Sequence, residues 1–151
     1  MRFLLVPVIT MLAACQTTAP APMPETSDIR FVSTDAIRKA GLPLSNFVEA
    51  DGWLFLSGML GTQPGKGLVK GGVEAETRQT MTNIKDTLAK ENLGMENVVK
   101  CTVMLADIAE WPAFNSVYKE FFDETYPARS AFAASGLALN ARVEVECIAR
   151  R

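Results

Sequence analysis

The alternation of apolar and polar positions divides most of this chain into short strands and two longer helices. Arg142 to Cys147 alternates strictly, with Val143, Val145 and Cys147 on one side and Arg142, Glu144 and Glu146 on the other, as in a half-buried strand. Asn97 to Leu105 reads the same way, with Val99, Cys101, Val103 and Leu105 on one face and Lys100 and Thr102 on the other. Phe47 to Ala50 and Trp53 to Ser57 flank Asp51-Gly52, a hairpin signal, and Ile29 to Val32 is a shorter strand candidate. From Val73 to Glu91 the period changes. Val73, Thr77, Met81, Ile84 and Leu88 recur at three- and four-residue spacing, while Glu74, Glu76, Arg78, Lys85, Asp86 and Lys90 fall mostly off that stripe, which predicts an amphipathic helix ended by Gly94.

Ile108 to Asp123 is predicted as the second helix. Asp107 is its cap, Glu110 completes a capping box, and Pro112 is tolerated in the first turn. Trp111, Phe114, Val117, Tyr118, Phe121 and Phe122 form its broad apolar face, with Asn115 near the edge. Asp35 to Leu44, punctuated by Gly41 and Pro43, reads as a loop. Pro127 stops the second helix and extends the chain into Arg129. Ser130 to Ser135 is expected to hairpin back on Arg142 to Cys147 through Gly136 to Asn140, which sets Arg129 near the polar face of Glu144 and Glu146. The order is then β-β-α-β-α-β-β. Two helices of this length cover one face of a sheet and leave the other to water or to a partner.

Gly58, Gly61, Gly65, Gly67, Gly71 and Gly72 crowd one stretch, which reads equally as a mobile surface loop or a long hairpin excursion. It is not a phosphate loop, because Lys66 is followed by Gly67 rather than by Ser or Thr. At the start of the chain, Arg2, the apolar run Phe3 to Ala14 and small residues before Cys15 form a secretory signal. Leu12-Ala13-Ala14-Cys15 resembles the bacterial lipoprotein box, in which the cysteine becomes the acylated first residue. The expected organisation is therefore a signal peptide over residues 1–14, an acylated Cys15 with a flexible tether over 15–28, and one domain over 29–151. Gln16, rather than Asp, after the cysteine resembles outer-membrane sorting in double-membraned bacteria, which implies a lipid-anchored place on the periplasmic side of the envelope.

Composition narrows the chemistry. A 48% apolar content in 151 residues supports one cored domain, and a net charge of -2 argues against a nucleic-acid partner. With no histidine, the chain can hold no Ser-His-Asp triad, His-containing metal site or His general base. Cys15, Cys101 and Cys147 lack the short spacings of a zinc or CxxC site. Cys101 and Cys147 lie on the apolar faces of their strands, so a buried thiol pair is the default and a disulfide requires close Cβ atoms. Chemistry, if any, falls to Arg, Glu, Asp, Ser, Asn or the backbone, and the pattern sets Arg129 near the two carboxylates Glu144 and Glu146. An arginine fork suits a small carboxylate and a nearby glutamate can orient a water, although an ion pair at a sheet end would look the same.

Five marks in order resemble one family, the reactive intermediate deaminases (RidA, YjgF-like). They are Ser57-Gly58, Thr77-Arg78-Gln79-Thr80 with Asn83-Ile84, Phe114-Asn115-Ser116-Val117-Tyr118, Tyr126-Pro127-Ala128-Arg129-Ser130, and Val143-Glu144-Val145-Glu146. The resemblance implies an α+β, chorismate-mutase-like mixed sheet with two helices on one face, assembled as a homotrimer with sites between subunits. It implies hydrolysis of small 2-imino acids to 2-keto acids and ammonia without a cofactor or metal. The carboxylate-binding arginine would be Arg129 and the water-orienting glutamate Glu144, with Asn115 and Ser57 in the pocket. Two positions depart from the pattern. Leu44 stands where a pocket tyrosine is usual, and Ala131 where a cysteine is usual, the latter thought to act mainly through its backbone. A periplasmic protein that uses the same cleft only to hold a small carboxylate or aromatic metabolite is the alternative.

Overall fold

The structure is a computed structural model that describes residues 29–151. The expected signal peptide, the acylated Cys15 and the tether lie outside the described residues. In chain order the strands are β1 (Arg30–Val32), β2 (Phe47–Ala50), β3 (Trp53–Leu56), β4 (Met59–Leu60), β5 (Thr62–Gln63), β6 (Gly67–Leu68), β7 (Val98–Leu105), β8 (Ala128–Ala133) and β9 (Val143–Arg150). The α-helices are α1 (Asp35–Lys39), α2 (Gly72–Ala89) and α3 (Trp111–Tyr118). One mixed sheet runs β1-β2-β3-β9-β7-β8, and β4 also pairs with β9. All pairs in it are antiparallel except β7 with β8. The α+β class is as expected.

The core lies between this sheet and α2 and α3. Met81, Ile84 and Leu88 of α2 and Phe114 of α3 are fully buried with Leu54, Val103, Leu105, Val143 and Val145 of the sheet. Each such side chain contributes about 1.5–3 kcal/mol of burial. The other face carries Phe31, Phe55 and Phe132 at 71%, 46% and 48% exposure. Cross-strand partners share a face, so the registers Phe31 with Val48, Val48 with Phe55, and Phe55 with Ile148 line up an apolar strip there.

Several expectations are corrected. Ser130 to Ser135 does not hairpin onto β9: β8 runs parallel to β7, and β9 pairs with the other edge of β7. A parallel pair needs a crossover, which the segment containing α3 supplies. The stretch after Thr34 is not all loop, because the Thr34 side chain accepts from the Ile37 amide and opens α1. The second helix is broken into a 3-10 turn (Ile108–Glu110), α3 and another 3-10 turn (Lys119–Phe121). Asp107 does cap, accepting from the Ala109 amide, but Glu110 closes no capping box and instead pairs with Arg142 at 2.8 Å. Val99 points outward because the register shifts between Val98 and Lys100, and Val98 takes the buried place. Cys101 and Cys147 are direct cross-strand partners with Cα atoms 4.1 Å apart, and they form a disulfide rather than a free thiol pair.

The glycine-rich stretch is an excursion held against α2. β5 and β6 form its small hairpin. Gln63 donates to Gln79 at 3.0 Å, Gln79 to Asn83 at 2.9 Å, and the Asn83 amide to the Leu60 and Thr62 carbonyls at 2.9 Å each. A Cβ at Gly61 would lie 2.7 Å from the Glu76 carbonyl, so only glycine lets the excursion cross the helix there. Glu76, expected off the apolar stripe, is buried, and its carboxylate accepts from the Arg142 amide at 2.7 Å. That last contact ties α2 to the residue just before β9.

Candidate active site

Arg129 stands on β8 opposite Cys101, which stands opposite Cys147, so all three share the helix-covered face. Its guanidinium carbon lies 4.7 Å from the ring centre of Tyr118, 5.5 Å from Phe114 and 5.8 Å from Trp111. These aromatic faces of α3 hold the planar cation without neutralising it. Among the described residues Arg129 has no carboxylate partner within ion-pair distance. It borders a cavity of about 350 Å³ lined also by Asn115, Tyr118, Lys119, Tyr126 and Pro127. The Asn115 side-chain carbonyl and the Tyr118 hydroxyl are buried there with no hydrogen-bond partner among the described residues. Burial pushes the Tyr118 hydroxyl up to about 12, against the opposing pull of the Arg129 charge, so it stays a donor near neutrality. Ala131 lies two residues along β8 on the Arg129 face, opposite Val103 and packed against the core.

Glu144 stands on the opposite face. It pairs with Met104 of β7 and Leu60 of β4, one position out of phase with Val143 and Val145 in the core. Its carboxylate rests on Gly58, where a Cβ would come within 2.9 Å of the Glu144 carboxyl carbon and 3.2 Å of its Cγ. Partial burial, and then the like charge of Glu146, raise the Glu144 carboxyl above the ordinary range. Ser57, next to Gly58, donates its hydroxyl to the Ser45 carbonyl at 2.7 Å. Leu44, adjacent to Ser45, is 46% exposed, and its carbonyl accepts from the Ser33 hydroxyl at 3.3 Å.

The six expected site residues therefore fall into two groups. Arg129, Asn115 and Ala131 belong to one, and Ser57, Leu44 and Glu144 to the other. The expectation that Arg129 lies beside the Glu144 and Glu146 face within one chain is corrected, because its hairpin premise fails and the register turns the two side chains to opposite faces. Tyr118, Lys119 and Tyr126 also line the pocket, beyond the residues expected there from the sequence. Tyr118 and Lys119 carry the signal of lying three and four positions after Asn115.

A mixed sheet backed by helices on one face, with an uncompensated arginine in a cleft and a partly buried carboxylate on the other face, defines the class as an α+β protein. The chain belongs to the endoribonuclease L-PSP family, whose model matches residues 34–151. This is the family to which the five motifs pointed. A 2-iminobutanoate/2-iminopropanoate deaminase of Capra hircus is 43% identical over 121 residues, covering 80% of this chain and 88% of the relative. Yeast Mmf1 has a crystal structure with a TM-score of 0.73 at 33% identity, covering 82% of this chain and 98% of that one. The crystal structure of E. coli TdcF with bound serine gives a TM-score of 0.68 at 31% identity, over 72% of this chain and 88% of that one.

Proposed function

We propose that the protein is a hydrolytic deaminase of small 2-imino acids, acting without a cofactor in clefts between the subunits of a homotrimer. The observation that carries this reading is the division of the site residues. Arg129 and Glu144 face opposite ways in one chain, so a cleft that uses both needs a second copy. The exposed Phe31, Phe55 and Phe132 on the face opposite the helices supply apolar surface for such an assembly. The names of the relatives, imine deaminases, support the same chemistry.

In the proposed reaction Arg129 grips the substrate carboxylate with its fork and fixes the imine carbon. The unpaired Asn115 carbonyl suits an iminium N–H. Glu144 of the neighbouring copy accepts a proton from water as the water oxygen bonds to that carbon. The resulting carbinolamine takes that proton on nitrogen, the freed Glu144 carboxylate accepts the hydroxyl proton as the C=O bond forms and the C–N bond breaks, and ammonia leaves with a 2-keto acid. No oxidation occurs. Leu44, exposed on the same half-site as Glu144, would present an apolar wall in place of a hydroxyl.

The test measures keto-acid and ammonia release from freshly generated 2-iminopropanoate and 2-iminobutanoate above the spontaneous rate, beside an RNA-cleavage control. Arg129→Lys and Glu144→Gln subunits, each weak alone, are then unfolded and refolded together. Random equal mixing leaves about a quarter of trimer interfaces with both native groups, so roughly a quarter of native activity should return. No recovery in mixed trimers, or a native protein that only matches spontaneous hydrolysis, would overturn the proposal. Binding of keto acids without turnover would favour the carboxylate-binding alternative.

We further propose export and acylation at Cys15, with the domain on the periplasmic side of the envelope. The Leu12-Ala13-Ala14-Cys15 sequence motivates this, and the Cys101–Cys147 disulfide supports an oxidising compartment. Mass spectrometry of the membrane fraction should find lipid on Cys15 and residues 1–14 absent. A full-length unmodified chain in the soluble fraction would reject it.

A further inference from the structure

We propose that the cleft is built for 2-imino acids carrying a second carboxylate, with Lys119 as the group that recognises it; this rests on the deaminase reading above. Lys119 lines the same 350 Å³ cavity as Arg129. It stands in the 3-10 turn (Lys119–Phe121) that continues α3 beyond Tyr118, so the elements that hold the arginine's aromatic cradle also fix the lysine backbone. The lining residues are Asn115, Tyr118, Lys119, Tyr126, Pro127 and Arg129, two cations and no carboxylate. The adjacent acid, Glu120, spends both carboxylate oxygens on the Arg78 fork and feels the Lys119 charge only as a lesser influence. Lys119 itself has no ion-pair partner among the described residues.

One cation satisfies the carboxylate common to every 2-imino acid. The second leaves a positive surplus at the cavity rim that an alkyl side chain cannot use and a terminal carboxylate can. The Arg129 fork suits the planar carboxylate next to the imine, and the flexible Lys119 ammonium suits a second one at variable distance. The neighbouring copy would add Glu144, which is committed to the water, with Glu146 two residues along the same face of β9. The positive surplus is therefore that of the Arg129 half of the cleft, whose lining holds two cations and no carboxylate.

The experiment compares 2-iminosuccinate and 2-iminoglutarate with 2-iminobutanoate, each generated in the cuvette by an amino-acid oxidase, using the refolded or native trimer. Calorimetric binding of 2-oxoglutarate and 2-oxobutanoate runs in parallel. The expected result is at least a tenfold preference in kcat/KM for a dicarboxylate. The preference should shrink at high salt, be lost in Lys119→Ala, invert in Lys119→Glu and persist in Lys119→Arg. Equal or better turnover of 2-iminobutanoate by the native protein would overturn the dicarboxylate assignment while leaving the deaminase reading standing. Lys119-dependent binding of 2-oxoglutarate with no turnover of any imine would overturn the deaminase reading while keeping the ligand class. Neither turnover nor binding would overturn both.

Discussion

Gly58 offers a test of the proposed base that separates geometry from stability. In Gly58→Ala the new methyl would start 2.9 Å from the Glu144 carboxyl carbon. Ordinary carbon contacts settle near ~3.5–4.0 Å, so the carboxylate has to retreat by at least about 0.6 Å, and its nearer oxygen by more. Glu144 is the tip of a flexible side chain, partly exposed, so it yields without moving β9. Stability should therefore fall by about 1 kcal/mol or less, a melting shift of roughly 2–8 °C at most. A catalytic group displaced by about 1 Å loses on the order of 100-fold in rate. The assay is steady-state turnover of 2-iminobutanoate beside a thermal melt. kcat should drop about 100-fold with KM nearly unchanged, since the proposal assigns carboxylate capture to Arg129. A variant with native kcat would show that the Glu144 position does not set the rate. One whose activity loss tracks a large loss of folded protein would show that Gly58 serves the fold alone.

Further outcomes follow from other parts of the molecule. Arg129→Lys keeps charge but loses the fork, so KM should rise about 10-fold or more, whereas Glu144→Gln should lose turnover with binding retained; a reversed pattern in saturation kinetics would reject the assigned roles. Glu49 is bridged by Arg151 and by Arg30, and these partners hold its carboxyl down to about 2. Its contribution is present above the unfolded carboxylate value and lost as pH falls from about 4.5 toward 2, worth about 1–2 kcal/mol after allowance for the exposed arginines. Urea melts of Glu49→Gln should match native stability at pH 2 and fall below it at pH 6, and an equal gap at both would refute the linkage. The Cys101–Cys147 bond closes a separation of 46 residues. Replacing both by alanine should cost up to about 4 kcal/mol in denaturant unfolding, and an unchanged midpoint would show that the bond adds nothing.

Much of the fold was legible from period alone. The faces of β9, the hairpin at Asp51-Gly52 and the stripe of α2 follow from residues a few positions apart. What was hidden depends on partners far along the chain. The short link Gly136 to Asn140 looks like a hairpin turn, yet it passes from one side of β7 to the other, and no local signal distinguishes the two. Glu76 reads as a solvent-facing helix residue because its partner is the backbone amide of Arg142, which a side-chain pattern does not display. Val99 satisfies the alternation and still faces outward, because a bulge costs one residue without marking the sequence. Arg129 and Glu144 were visible as residue types from the motifs. Their separation onto opposite faces was not, because it depends on β8 choosing β7 rather than β9.

The position of β9 also governs when the molecule can fold. This strand follows every other strand of the sheet in chain order, yet it lies between β3 and β7 in the middle of the sheet. Until it is synthesised, the β1-β2-β3 ribbon and the β7-β8 pair have no strand to join them, and Cys101 has no sulfur opposite it. A nascent chain that has not yet reached β9 thus has two pieces of sheet with no backbone pairing between them. For a chain proposed to cross a membrane in extended form, that order of events keeps the polypeptide threadable during passage. Under that proposal, closure of the sheet and of its cross-strand bond would fall together on the far side, once β9 has emerged.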